Sequence, residues 1–284
     1  MPEPTTITRF APSPSGLLHL GHAYSALFTE AEARNRNGVS LLRIEDIDVG
    51  RCRPEYETAI LEDLAWLGLS WPEPVRRQSE HMDDYLAALA RLKDMGMLYP
   101  CFFSRKELSR TLSAPHLGPR MGPDGPAVTD TDRLMDQKDR DRRLAAGEPH
   151  ALRLRMARAV ELVGGLTWRD TEAGQQTATP SIFGDVVLAR KDVPTSYHLA
   201  VTVDDALQGI TIVTRGEDLF HTTHVHRLLQ ALLDLPVPDY RHHRLLVDKR
   251  GRRFAKRDKP LTLRALRETG STPEDIRTMV GIPF

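Results

Sequence analysis

Cysteine is nearly absent from this chain: Cys52 and Cys101 are the only two in 284 residues. No disulfide framework and no four-cysteine zinc site can be built from them, and such usage fits a reducing cytoplasm. Net charge is absent as well, since 39 Lys and Arg balance 39 Asp and Glu. Binding of nucleic acid through bulk positive charge is therefore excluded, and only local clusters could do it. There is no apolar run long enough to cross a bilayer, and the start, Met1-Pro2-Glu3-Pro4-Thr5, lacks the apolar stretch of a secretory leader. Internal repeats and low-complexity segments are missing too. What remains, 40% hydrophobic and 27% charged residues, is ordinary for a soluble protein. The length suits one sizeable α/β core with an insertion, or two domains.

The first pattern that is present is a strand, a broken loop and a helix. Ile7 to Phe10 is a short apolar run. Pro12, Pro14 and Gly16 then break the chain, and a helical face follows Gly21 in Ala23, Ala26, Leu27 and Ala31. Asn37-Gly38 stops that helix, and Val39 to Ile44 predicts a second strand, completing a βαβ unit. Helical spacing recurs over Glu55–Leu67 and Met82–Met95. From Ser113 to Asp132 the composition predicts a long loop, and the mixed charges of Asp136 to Arg143 a solvated helix face. Strands are expected at Ala151–Met156, Asp185–Ala189, His198–Val203 and Ile210–Val213, and an amphipathic helix at His224–Leu233. The expected organisation is a nucleotide-binding fold split by an insertion: 1–100 its first half, 101–185 the inserted subdomain, 186–240 its second half, and 241–284 a basic loop with a short tail.

Several clusters carry chemistry. The loop after the first strand ends at a helix N-terminus, where unpaired N–H groups and the helix dipole favour an anion. His19 and His22 add donors there; a plain turn with surface histidines is the alternative. Arg43-Ile44-Glu45-Asp46-Ile47-Asp48 ends the second strand, where ligands of open parallel sheets bind. Its carboxylates could hold an ammonium group or a metal, or simply finish the strand, with Asp48 capping the next helix. Arg215 follows another short apolar strand and suits a bidentate grip on a carboxylate, or a salt bridge to Glu217 or Asp218. Residues 241–257, RHHRLLVDKRGRRFAKR, form a dense basic run fit for a polyphosphate or a nucleic-acid backbone. His221 and His224 could pair on a metal, but no third ligand is at hand.

Together these segments resemble the catalytic half of glutamyl-tRNA synthetases, a class I aminoacyl-tRNA synthetase family. The matching stretches are Arg9-Phe10-Ala11-Pro12-Ser13-Pro14-Ser15-Gly16, His19-Leu20-Gly21-His22, Arg43 through Arg51, Tyr197 through Asp205, Gly209 through Asp218, and Arg253-Phe254-Ala255-Lys256-Arg257 in the place of the KMSKS-type loop. The resemblance implies a Rossmann-like α/β catalytic domain with an inserted α+β acceptor-type subdomain and a short helical tail. After Arg257 only residues 258–284 follow, which leaves no room for the family's anticodon-binding half. Shortened relatives of this kind activate glutamate with ATP and place it on queuosine in the anticodon of tRNA(Asp). The alternatives are charging of a tRNA 3′ end and an idle amino-acid- or tRNA-binding paralogue.

By motif, the resemblance assigns Arg9, Ala11, Ser13, Glu45, Tyr197 and Arg215 to glutamate, and His19, Gly21, His22, Arg253 and Lys256 to ATP. Mg²⁺ would come with ATP, and a cytoplasmic monomer is expected. Two departures stand out. Ala255 replaces the usual serine and Arg253 the usual lysine of the loop motif. Cys101-Phe102-Phe103-Ser104 stands where many relatives carry a zinc-binding Cys-x-Cys, so zinc is not expected.

Overall fold

The computed structural model describes residues 5–104, 106–108, 121–246 and 262–282. Its strands are β1 (Ile7–Phe10), β2 (Val39–Ile44), β3 (Arg76–Arg77), β4 (Leu98–Cys101), β5 (Met121–Gly122), β6 (Gly125–Pro126), β7 (Ala151–Leu154), β8 (Thr167–Asp170), β9 (Gly174–Thr177), β10 (Val187–Ala189), β11 (Ile212–Gly216) and β12 (Asp239–His243). The helices are α1 (Leu20–Arg34), α2 (Pro54–Trp66), α3 (Met82–Asp94), α4 (Gln137–Ala145), α5 (Met156–Val163), α6 (Tyr197–Leu207), α7 (Thr222–Leu232), α8 (Leu263–Glu268) and α9 (Pro273–Val280).

β1, β2 and β3 are parallel neighbours, as are β11, β12 and β8, with β9 antiparallel at the edge. The two groups meet at β1 and β11. Thr211 N–H donates to the Ile7 carbonyl at 2.9 Å, and the Ile7 N–H donates to Thr211 Oγ1 at 2.8 Å. The resulting order is β3-β2-β1-β11-β12-β8-β9, in which the chain leaves β1 in two directions. That reversal opens a crevice at the carboxyl ends of β1 and β11, the place where such sheets bind ligands. β8 and β9 thus belong to this sheet although they lie within 101–185. A separate antiparallel sheet, β10-β7-β4, stands beside it.

Hydrophobic burial holds the layers together. One cluster gathers Leu18, Leu27, Leu42, Ile44, Ile60 and Leu64 with Leu263, Ile276 and Val280 of the tail. Another joins α3, α6 and α7 to the second sheet through Tyr85, Leu92, Leu154, Leu199, Val225 and Leu228. Each such fully buried leucine stabilises the fold by about 2 kcal/mol. The second sheet is also stitched by a carboxylate. Asp185 accepts from Tyr99 Oη at 2.7 Å, from the Asp130 N–H at 2.7 Å and from the Met156 N–H at 3.0 Å. Cys101, buried beside it, accepts from Thr131 Oγ1.

One sequence expectation is overturned here. His198 to Val203, expected as a strand, lies inside helix α6. Every residue from Leu199 to Asp205 is buried, so no polar face marks the helical period. The β-branched Val201, Thr202 and Val203 imitate a strand, but the Ser196 hydroxyl caps the helix start and tertiary packing overrides propensity. The described part of the Ser113–Asp132 loop carries the small β5–β6 hairpin and a 3-10 turn from Thr131 to Leu134. Helix α4 buries none of its side chains, as its mixed charges predict.

Candidate active site

The crevice is lined from the ends of β1, β2 and β11 and from the starts of α1 and α6. Arg9, near the end of β1, is 4% exposed. Its Nε and Nη2 clasp Asp205 at 2.9 and 3.2 Å, and its Nη1 donates to the Thr214 carbonyl at 3.0 Å. One N–H on each terminal nitrogen lies outside these bonds. Arg43 of β2 donates to Asp205 at 2.8 Å, to Gln208 at 2.9 Å and to Glu45 at 3.0 Å. Burial works to raise the Asp205 carboxyl, but Arg9 and Arg43 outweigh it and hold the group below the usual carboxylate range. Glu45 lies above that range, because burial outweighs the pull of Arg43 and Arg9.

The sheet end sorts the carboxylates of the second motif. Only Glu45 joins the arginines. Asp46 accepts from the Ser79 N–H and hydroxyl, and Asp48 pairs with Arg51 and Arg190. Asp48 does not cap α2, whose N-cap residue is Arg53. The loop after β1 is tied to the same end by the Glu45 N–H donating to the Pro12 carbonyl at 3.0 Å. Ala11 is half-buried, and Ser13 is exposed with its Oγ 3.7 Å from Cys52 Sγ.

Arg215, 4% exposed at the end of β11, is a third buried cation, after Arg9 and Arg43. It pairs with neither Glu217 nor Asp218, and among the described residues no carboxylate lies within ion-pair distance of it. Its contacts are His226, His242 and Thr223, and the Tyr240 ring lies 5.3 Å from its guanidinium carbon. Tyr197 opens α6 in the field of Arg215, Glu45, Arg9 and Asp205; burial raises its phenol first and Arg215 opposes that. Four residues assigned to glutamate by motif therefore share one neighbourhood.

Next to it, His19 caps α1. Its Nδ1 accepts from the Gly21 N–H at 3.1 Å, while His22 Nδ1 accepts from the His19 N–H at 3.2 Å. The two ring centroids lie 3.8 Å apart, with the planes tilted by 32°. A nitrogen that accepts cannot carry the proton, so both neutral rings are protonated on Nε2, the donor a phosphate needs. Gly21 suits this packing, because a Cβ there would sit 3.0 Å from the His19 ring, which would have to shift by a few tenths of an ångström. Arg253 and Lys256 lie outside the described residues. The chain re-enters at Thr262, which bridges to His19, and the Leu263 N–H donates to the Leu18 carbonyl at 2.9 Å. Thr262, the first described residue after the basic run, thus lies beside the capping His19.

Among the described residues no three His, Cys, Asp or Glu side chains are grouped to hold a metal ion. His224 instead accepts from Trp168 Nε1 at 3.2 Å. A Mg²⁺ ion would have to arrive on the triphosphate, bound mainly through its oxygens.

The sequence assigns no role to Asp204, Asp205, Arg43, Asp170, Thr223 or His226, and it puts His242 in the basic run, whereas Arg241, His242 and His243 lie in strand β12 with His242 against Asp170. The adjacent acidic pair after Tyr197 was the one available signal, since a buried Asp-Asp on a helix demands cationic partners.

Residues 5–282 match the family described as tRNA synthetases class I (E and Q), catalytic domain. A glutamyl-Q tRNA(Asp) synthetase of Rhodobacter capsulatus is 47% identical over 280 residues, 97% of this chain and 100% of the relative. A protein of the same name from Symbiobacterium thermophilum is 41% identical over 94% of this chain and 83% of the relative. The crystal structure of a glutamate-tRNA synthetase from Elizabethkingia anophelis superimposes with a TM-score of 0.81 at 26% identity, over 98% of this chain and 61% of that one.

Proposed function

Because this chain belongs to the class I tRNA synthetases (E and Q), we propose that it activates L-glutamate with ATP and passes the glutamyl group to queuosine in tRNA(Asp). Coverage of a whole relative of that name, at 47% identity, supports the acceptor. The observation that carries the amino acid is Arg215, a buried cation that shares the surroundings of Tyr197 with Arg9 and Glu45 and whose hydrogen-bond partners among the described residues are all uncharged. A buried charge is costly until an opposite charge reaches it, and a substrate carboxylate supplies that charge.

In this reading Arg215 and the outer N–H groups of Arg9 hold the glutamate carboxylates. Glu45 takes the ammonium group, Tyr197 closes the pocket, and Ala11 and Ser13 line it. The α-carboxylate oxygen bonds to the α-phosphorus of ATP as the bond to pyrophosphate breaks. His19, His22, Arg253 and Lys256 neutralise charge spreading over the phosphates, while Gly21 keeps the His19 ring in place. Transfer to the acceptor then releases AMP. Mg²⁺ accompanies ATP, and the protein works as a monomer.

The test is transfer of labelled glutamate to tRNA(Asp) carrying queuosine, compared with the same tRNA carrying guanine, followed by nuclease digestion. Label on the anticodon fragment of the first tRNA alone is expected. Label on the 3′ terminal adenosine would replace this reading with that of a shortened glutamate-charging enzyme. An idle paralogue would show no glutamate-dependent exchange of pyrophosphate into ATP.

A further inference from the structure

Arg215 is gripped by groups that orient it without cancelling its charge. Its Nη1 donates to His226 Nδ1 at 3.1 Å, its Nε to His242 Nε2 at 3.2 Å, and its Nη2 to Thr223 Oγ1 at 2.5 Å. These bonds fix the tautomers. A ring nitrogen that accepts from a guanidinium carries no proton, so His226 is protonated on Nε2, facing His198 Nδ1 at 3.4 Å. By the same rule His242 is protonated on Nδ1 and donates to Asp170 Oδ2 at 2.7 Å. Asp170 can play only an acceptor's part. Its Oδ1 also takes the N–H groups of Glu172 and Ala173, at 2.9 and 2.8 Å, and its Oδ2 takes the His242 N–H at 3.2 Å. It lies on β8, beside β12, and fixes the proton of a ring that touches the site.

We infer that His226 and His242, with Asp170 behind His242, are positioning residues that make this site choose an anionic amino acid over its neutral amide. A carboxylate at either histidine position would satisfy Arg215 internally, and the substrate would then compete with a buried ion pair. Imidazole acceptors fix the geometry and leave one positive charge uncompensated. Glutamate carries one net negative charge and glutamine none. Glutamine also brings an NH₂ group that cannot accept from Arg215. This inference rests on the glutamate reading above.

The experiment measures direct binding of L-glutamate and L-glutamine to the full chain by calorimetry, with thermal unfolding as a check on folding. His226→Gln and His242→Gln keep a neutral acceptor, and their glutamate affinity is expected to stay within about fivefold of the parent. His226→Glu and His242→Glu are expected to lose about thirtyfold or more in glutamate affinity and most of the preference over glutamine. In pyrophosphate exchange the same loss should fall on the glutamate KM and spare kcat. If the Glu variants do not fold, Asp170→Asn decides. Its NH₂ would face an N–H donor and drive the His242 proton onto Nε2, against Arg215, so a loss of about tenfold in glutamate affinity is expected. Equal losses in the Gln and Glu variants would overturn the inference. So would an unchanged preference in folded Glu variants, unchanged affinity in Asp170→Asn, or a parent protein that binds neither amino acid. A parent that binds glutamate but exchanges no pyrophosphate would count against the adenylation reading alone, because the binding pattern still decides this one.

Discussion

Asp204 and Asp205 are adjacent, yet they serve different ends. Asp204 is fully buried and accepts from Arg76 Nε at 2.8 Å, Gln78 Nε2 at 2.8 Å and Tyr85 Oη at 2.9 Å. It ties α6 to β3 and α3. Asp204→Ala would leave the Tyr85 hydroxyl and the Gln78 amide without their acceptor and Arg76 with Asp84 alone, and should destabilise the fold by about 3 kcal/mol, read as a shift of the urea midpoint. Asp205 faces the crevice and sets the two arginines. Arg215→Ala should raise the glutamate KM about a hundredfold and leave the ATP KM unchanged, measured by pyrophosphate exchange. If Lys256 serves the phosphates as proposed, Lys256→Ala should act on kcat instead, because such a contact would strengthen as charge spreads in the transition state. Arg9, Glu45 and Arg215 were legible because each stands at the end of an apolar strand. Their partners were not, since Arg9 meets Asp205 across 196 positions and Arg43 meets it across 162. No local pattern encodes such pairings.

Among the elements, β1, its loop and α1 were readable because Pro, Gly and a change of period mark each boundary. Helix α6 was not, because burial on every side erased its period. The start of α1 is built from a capping box of two imidazoles, closed over a glycine. Gly21→Ala should push the His19 ring aside, lower stability by about 1 kcal/mol and raise the ATP KM several-fold, checked by melting and by exchange kinetics. The contact of α8 with α2 holds another test. Asp63 is fully buried, and its nearest cation is Arg267 Nη2 at 3.7 Å. Burial raises its carboxyl to about 6, against the pull of Arg267. At pH 8 the native state must hold a buried charge, whereas at pH 5 the group is neutral. Asp63→Asn should therefore stabilise the protein by about 3 kcal/mol at pH 8 and by about half as much at pH 5, where the unfolded carboxyl is still ionised, measured by urea unfolding at both.

For the molecule as a whole, histidine dominates the response to acid. Burial pushes His198, His224 and His242 each down to about 4 from an ordinary 6.5. Between those values the unfolded chain binds protons that the native state refuses, so stability falls as pH drops from 6.5 toward 4. Asp63 and Glu45, both raised by burial, work in the opposite sense, but they are two groups against five, because burial lowers His226 and His243 as well. Melting temperature should decline steeply from pH 6.5 to 4.5. The βαβ character of the sheet was visible in the sequence; its order was not, because β11 meets β1 across some two hundred residues through one main-chain bond and the Thr211 hydroxyl. The tail carries one last consequence. Leu263, Ile276 and Val280 sink into the same core as α1 and α2, each no more than 1% exposed, while Leu263 is clasped to Leu18. A protease that nicks the chain between residues 246 and 262 should not split the particle: both fragments should elute together from a sizing column and part only in denaturant.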